Sequence, residues 1–175
     1  ERICRAWNGE AICEGYKDKG FNLKLRLKEE GVLPAIAIGL MDFAGTGKYQ
    51  SEYIVSSYGI NKIDMHLGLG WGRLSGSSSQ IKNPLTYIND SFKERPEAYA
   101  GAGGAFNAGT YFSGPKAAPF YGISYSLNNK TLLKIENDTI QAGRPGIPFL
   151  PYRKSNYSFG IDYSINSNFS LSIAH

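Results

Sequence analysis

A chain of 175 residues, 42% of them hydrophobic, is long enough for one domain and ordinary in apolar content. No run of about 18 apolar residues occurs, so no membrane-crossing helix is expected; the longest apolar run, 32–41, is broken by Pro34 and Gly39. The net charge of +4 comes from dispersed Lys and Arg, not from a basic cluster laced with aromatics. That argues against nucleic acid, while a diffuse positive excess would suit acidic polysaccharide or anionic lipid headgroups.

With 21 Gly, 12 Tyr and 9 Phe, the chain is rich in small and aromatic residues, a mixture that favours β-structure over helical bundles. Residues 1–19 are mixed and polar, show no period and stay unassigned. They hold the two cysteines, Cys4 and Cys13, which are either a disulfide of an oxidising compartment or two free thiols. The chain has only two histidines, His66 and His175, neither near the cysteines, so no zinc pattern exists. No metal or cofactor is expected.

From residue 20 to 175 the chain reads as strands. Phe21, Leu23, Leu25 and Leu27 alternate with Asn22, Lys24, Arg26 and Lys28, so one face is apolar and the other basic. Glu29-Glu30-Gly31 turns, and Pro34 opens a second strand running to about Phe43. Ala44-Gly45-Thr46-Gly47-Lys48 has the look of a phosphate-binding loop. The motif needs Gly at position 42 and Ser or Thr after the Lys, where this chain has Asp42 and Tyr49, so it is rejected. A third strand spans Ser51 to Tyr58.

The fourth strand organises the rest. Ile63, Met65, Leu67, Leu69 and Trp71 alternate with Asp64, His66, Gly68, Gly70 and Gly72. Ten unbroken positions ending in Trp match a tilted strand that crosses a bilayer, roughly 9–11 residues, with an aromatic at the interface. Residues 73–116 are irregular, rich in Ser, Gly and Pro. Alternation resumes at Pro119 with Tyr121, Ile123, Tyr125 and Leu127 on one face. A sixth strand covers Thr131 to Asp138. After an irregular 139–154, Tyr157, Phe159, Ile161, Tyr163 and Ile165 mark a seventh. Asn166-Ser167-Asn168 turns into an eighth, Phe169 to Ile173.

Connections after strands 1, 3, 5 and 7 are short; those after strands 2, 4 and 6 are longer. In an up-and-down meander this puts short turns at one end and long loops at the other, as in outer-membrane barrels. The expected fold is therefore all-β, an antiparallel up-and-down transmembrane β-barrel of about eight strands, closed on itself or part of a larger barrel. The short turns would be periplasmic and both chain ends would lie at the extracellular rim, which implies further strands upstream.

Several stretches then resemble a known family. They are Asn22-Leu23-Lys24-Leu25-Arg26-Leu27, the run from Pro34 to Gly47 with its Gly-Thr-Gly, Ser51-Glu52-Tyr53, and Gly68-Leu69-Gly70-Trp71-Gly72. Tyr111-Phe112-Ser113-Gly114, Leu133-Lys134-Ile135-Glu136 and Phe159-Gly160-Ile161-Asp162-Tyr163-Ser164 fit as well. The chain resembles the YjbH-type outer-membrane β-barrel proteins of bacterial exopolysaccharide and capsule operons, as an internal portion of a longer protein. The resemblance implies the bacterial outer membrane and a role in making or exporting surface polysaccharide. Implied partners are outer-membrane lipid, the polysaccharide and other export-system proteins. The family supplies no catalytic residues to carry over.

The inward-facing polar set is expected to be Lys24, Arg26, Asp64, His66, Lys134, Glu136 and Asp162, joined by Asp42 and Glu52. Charges of both signs can fill a narrow lumen with salt bridges, or form a polar path for sugar hydroxyls. Asp64 and His66 lie two residues apart on one face, roughly 7 Å, too far for a tight base–orienter bond. The chain is therefore not expected to be an enzyme. Trp71, Tyr121, Tyr157 and Tyr163 are expected outward, as membrane-interface aromatics.

Overall fold

The computed structural model describes residues 2–7, 10–15, 20–45, 47, 50–76, 81–96, 107–137, 139 and 155–175, the first two stretches as backbone alone. Most of 139–154, part of the Gly-Thr-Gly loop, and residues 77–80 and 97–106 of the longest connection lie outside the described residues.

Two strands, β1 (Arg2–Trp7) and β2 (Glu10–Gly15), form a hairpin of their own. The polar segment left unassigned in the sequence thus contains regular structure, hidden because it has no apolar alternation. Its register sets Cys4 directly opposite Cys13.

Eight further strands form one antiparallel sheet, each paired to its sequence neighbours. They are β3 (Phe21–Lys28), β4 (Ala35–Phe43), β5 (Ser51–Ile60), β6 (Ile63–Gly72), β7 (Ala118–Asn128), β8 (Thr131–Asn137), β9 (Tyr157–Ser164) and β10 (Ser170–Ala174). The meander and the alternation of short and long connections follow the sequence reading. The closure does not: among the described strands the sheet is open, with β3 and β10 at its edges.

Residues directly opposite in an antiparallel pair share a face, so the register sorts the side chains into two. The outer face carries Leu23 and Leu25, Ile36 and Ile38, Ile54, Met65 and Leu67, Tyr121 and Ile123, Leu133 and Ile135, Phe159 and Ile161, and Leu171 and Ile173. Most of these are exposed; Leu67, mid-strand, keeps 62% of its surface. The inner face is small or polar and more sheltered. Its β7 positions Ala118, Phe120, Gly122 and Ser124 are buried or half-buried while their outward neighbours are exposed. Among the described residues the buried apolar ones are few: Ala37, Val55, Trp71, Leu74, Ala117 and Ala118. They gather on the inner face and at the long-loop end. Among the described residues the eight strands make a single layer, with no second sheet packed on it.

The connection after β6 is not shapeless. Its described parts hold four short 3-10 turns, at Arg73–Ser75, Pro84–Tyr87, Asp90–Phe92 and Ala108–Thr110. The last three each begin at an asparagine (Asn83, Asn89 and Asn107) whose side chain accepts a hydrogen bond from a backbone N–H two residues on. No helix among the described residues is long and apolar enough to cross a membrane.

Candidate functional site

The inner face is built in rows across the strands. Lys24 lies in line with Gly39 and Tyr53, and Arg26 with Ala37, Val55, Gly68 and Phe120. The next row holds Ser57, His66, Gly122, Glu136 and Ser158. The one after holds Asp64, Ser124, Lys134 and Gly160. Asp162 follows opposite Leu132, and Lys134 forms an ion pair with it. Seven of the nine charged or ionisable residues predicted to face inward therefore share one face. His66 lies against the bare backbone of Gly122, with Glu136 beside it.

Two predicted members leave that set. Glu52 stands opposite Trp71 and Leu40, which puts it on the outer side, at the rim. Its side chain is completely buried. Asp42 sits where β4 gains an extra residue. Phe21 pairs with Phe43 and Leu23 with Leu40, so Met41 and Asp42 face Asn22 alone. Asp42 takes a positive φ of 54°, its N–H donates to Asn22 Oδ1, and its carboxylate packs against Gly20. The bulge interrupts the alternation of β4 at this point, and Asp42 stands in none of the cross-strand rows of the inner face.

The aromatic expectations divide in the same way. Tyr121, Tyr157 and Tyr163 are exposed on the outer face. Tyr121 and Tyr157 lie toward the long-loop end with their hydroxyls 2.9 Å apart, and Tyr163 lies toward the short turns. Trp71 is not an exposed interface residue. Only 4% of it is accessible, because the 73–117 connection folds back over it.

That cap is the feature the sequence did not disclose. Arg95 donates from Nη1 to Glu52 Oε2 and from Nη2 to Oε1, both at 2.8 Å. Glu52 Oε2 also accepts the Phe112 N–H at 3.0 Å. Asn83, itself fully buried, accepts the Trp71 indole N–H at 2.8 Å and donates to the carbonyls of Phe112 and Gly114 at 2.9 Å. Phe112 packs edge-on against the Trp71 ring, centroids 5.2 Å apart. Gln50 donates to Thr110 Oγ1. Gly72 completes the fit: it has φ 63°, and a Cβ there would meet the Gln50 carbonyl and the Arg95 guanidinium. Tyr111, inside the cap, has its phenol pKa raised above the ordinary 10.0, chiefly by burial. Arg95 carried no signal in the sequence, Asn83 only that of Asn83-Pro84, a common turn opener, and Phe112 only its place in the family-like stretch Tyr111-Phe112-Ser113-Gly114.

Among the described residues no group of three or more His, Cys, Asp or Glu could hold a metal ion. The arrangement can hold a polar ligand on the inner face and apolar neighbours on the outer one.

Fold and face define an all-β protein built on one two-faced antiparallel meander with a capped rim. The chain belongs to the YjbH family: its sequence model, described as "Exopolysaccharide biosynthesis protein YbjH", matches residues 6–175. A relative in Escherichia coli (strain K12), named "Uncharacterized lipoprotein YjbH", is 44% identical over 123 residues. That match covers 69% of this chain and 17% of the relative, so the chain spans well under two thirds of the relative's length. No solved structure matches the chain.

Proposed function

We propose that this sheet is one portion of an outer-membrane β-barrel, and that the barrel serves the export or assembly of exopolysaccharide or capsule without catalysing a reaction. The carrying observation is the apolar outer face, which runs across all eight strands of the sheet and is interrupted in mid-sheet by the uncharged Ser56, between Ile36 and Leu67. Away from the strand ends it holds no charge, and Glu52 at its rim is matched by Arg95. In water, each Leu or Ile left on such a face would forgo about 1.5–3 kcal/mol of burial. A bilayer covers the face at no such loss. Tyrosines toward both ends fit an interfacial girdle: Tyr157 opens β9 and Tyr163 stands one residue before its end, both on the outer face. Partners on this reading are outer-membrane lipid, the polysaccharide and other proteins of the export system.

A plugged barrel that anchors such proteins or holds polysaccharide at the surface is a second reading. Leu74 of the cap lies over Gly70 on the inner face, and its carbonyl accepts the Thr139 hydroxyl. Cap residues thus reach into the space a lumen would occupy.

The test uses the full-length parent protein. Outer-membrane fractions are run on a gel with and without boiling. A heat-dependent shift in mobility is expected; soluble protein with no shift would sink the membrane reading. Conductance in a planar bilayer then separates an open path from a plugged anchor.

A further inference from the structure

On the inner face of β4–β7, glycines alternate with aromatic rings. Tyr53 stands opposite Gly39 on one side and Gly70 on the other; Phe120 stands opposite Gly68. The missing side chains are what let the rings lie down. A Cβ on Gly39 would run into the Tyr53 ring, and a Cβ on Gly68 into that of Phe120. The two rings meet edge to face, centroids 6.1 Å apart at 86°, which fixes both without burying them; each is only half-buried. Lys24 is in the Tyr53 row and Arg26 in the Phe120 row. His66 and Glu136 flank Gly122, two residues further along β7, roughly 7 Å.

A pyranose ring has the complementary chemistry: an apolar C–H face that stacks on an aromatic ring, and a rim of hydroxyls that both donate and accept. Resting on the proposed inward path for polysaccharide, we propose that Tyr53 and Phe120 form a stacking subsite for one sugar ring of the exported chain, with His66 and Glu136 as its hydroxyl partners. Charges of both signs around the rings suit a sugar better than an anionic headgroup. Stacking on a ring face is tolerant of which sugar is presented, as it is of which base in single-stranded nucleic acid, so a moving polymer is not held to one register.

The test takes the full-length protein in detergent and, as probe, oligosaccharides made by partial acid hydrolysis of the exopolysaccharide secreted by the producing cells. Binding is measured by calorimetry for wild type, Tyr53→Leu, Phe120→Leu and Gly68→Ala, each first checked for its heat-dependent gel shift. Each loss or displacement of a ring should weaken binding by about tenfold, and Phe120→Tyr should restore it to within about twofold of wild type. A shifted, folded wild type that binds no fragment, or leucine variants that bind like wild type, would overturn the subsite and leave the barrel reading intact. Failure of the barrel reading shows separately, as absence of the gel shift in wild type.

Discussion

Arg95 reaches Glu52 across 43 residues of sequence and grips both carboxylate oxygens at 2.8 Å. The pair is asymmetric: Glu52 is wholly buried, whereas Arg95 keeps a fifth of its side chain in contact with solvent. The cost of breaking it therefore falls on the carboxylate. Arg95→Ala should destabilise the cap by about 3–5 kcal/mol, the usual penalty of a buried charge stripped of its partner. Glu52→Gln in the same chain should recover part of that loss. Limited proteolysis within 73–117 reads the effect, and unaltered cleavage in Arg95→Ala would show that the pair does not hold the cap.

Asn83 satisfies three groups from two other chain segments at once through one amide. Asn83→Ala strands the Trp71 indole N–H and the Phe112 and Gly114 carbonyls, each costing about 1–3 kcal/mol where water cannot reach it. The expected signature is a red shift of tryptophan emission as Trp71 meets water. Asn83→Asp keeps the acceptor for Trp71 but loses the donors, so an intermediate shift is expected.

Tyr111 gives the cap a pH limit. Burial raises its phenol pKa above 10.0 in the folded state. The folded chain thus holds this proton more tightly than the unfolded chain, and stability falls as pH rises through that range. The contribution is complete below the unfolded value and is lost above the folded one. Cleavage of the cap should accelerate on the alkaline side of pH 10.0, and Tyr111→Phe should remove that acceleration.

The two faces predict opposite tolerance to charge. Leu67→Arg places a cation mid-strand on the outer face, where a bilayer would charge about 2–4 kcal/mol for it. Ser124→Arg places one on the inner face beside Asp64. Yield of heat-shifting protein in the outer membrane should drop for Leu67→Arg and hold for Ser124→Arg. Equal behaviour of the two would count against a lipid-facing surface.

Cys4 and Cys13 occupy opposite positions of the β1–β2 hairpin. Directly opposed residues of an antiparallel pair stand within the usual Cα span of a disulfide. Protein from an oxidising compartment should carry the bridge, seen as two thiols that alkylate only after reduction. Alkylation without reduction would refute it.

Much of this arrangement was legible in the sequence because a period of two is a direct record of a strand's faces. It located all eight strands of the main sheet, and it placed Lys24, Arg26, Asp64, His66, Lys134, Glu136 and Asp162 together. It failed where the period breaks or where distant residues intervene. Alternation in the second strand is already lost near Gly39, and at Asp42 a bulge interrupts it, so no period assigns that residue a face. Glu52 and Trp71 keep the alternation, yet their surroundings are set by Arg95, Asn83 and Phe112, which lie 12–60 residues away and follow no period. The β1–β2 hairpin escaped because neither of its strands separates polar from apolar residues by face.

The open edges carry a practical consequence. β3 and β10 each leave one side of a backbone ladder without a partner among the described strands, and both lie on a sheet whose outer face is apolar. Such an edge is a template for any extended chain that reaches it. Residues 1–175 prepared alone in water should therefore not stay monomeric: the β10 edge of one copy offers its hydrogen bonds to the β3 edge of the next, a head-to-tail contact that does not close on itself and grows into assemblies that redden thioflavin-type dyes' emission or pellet on centrifugation. Any further strands that took both edges would act as the chaperone of this sheet as well as its neighbours in it.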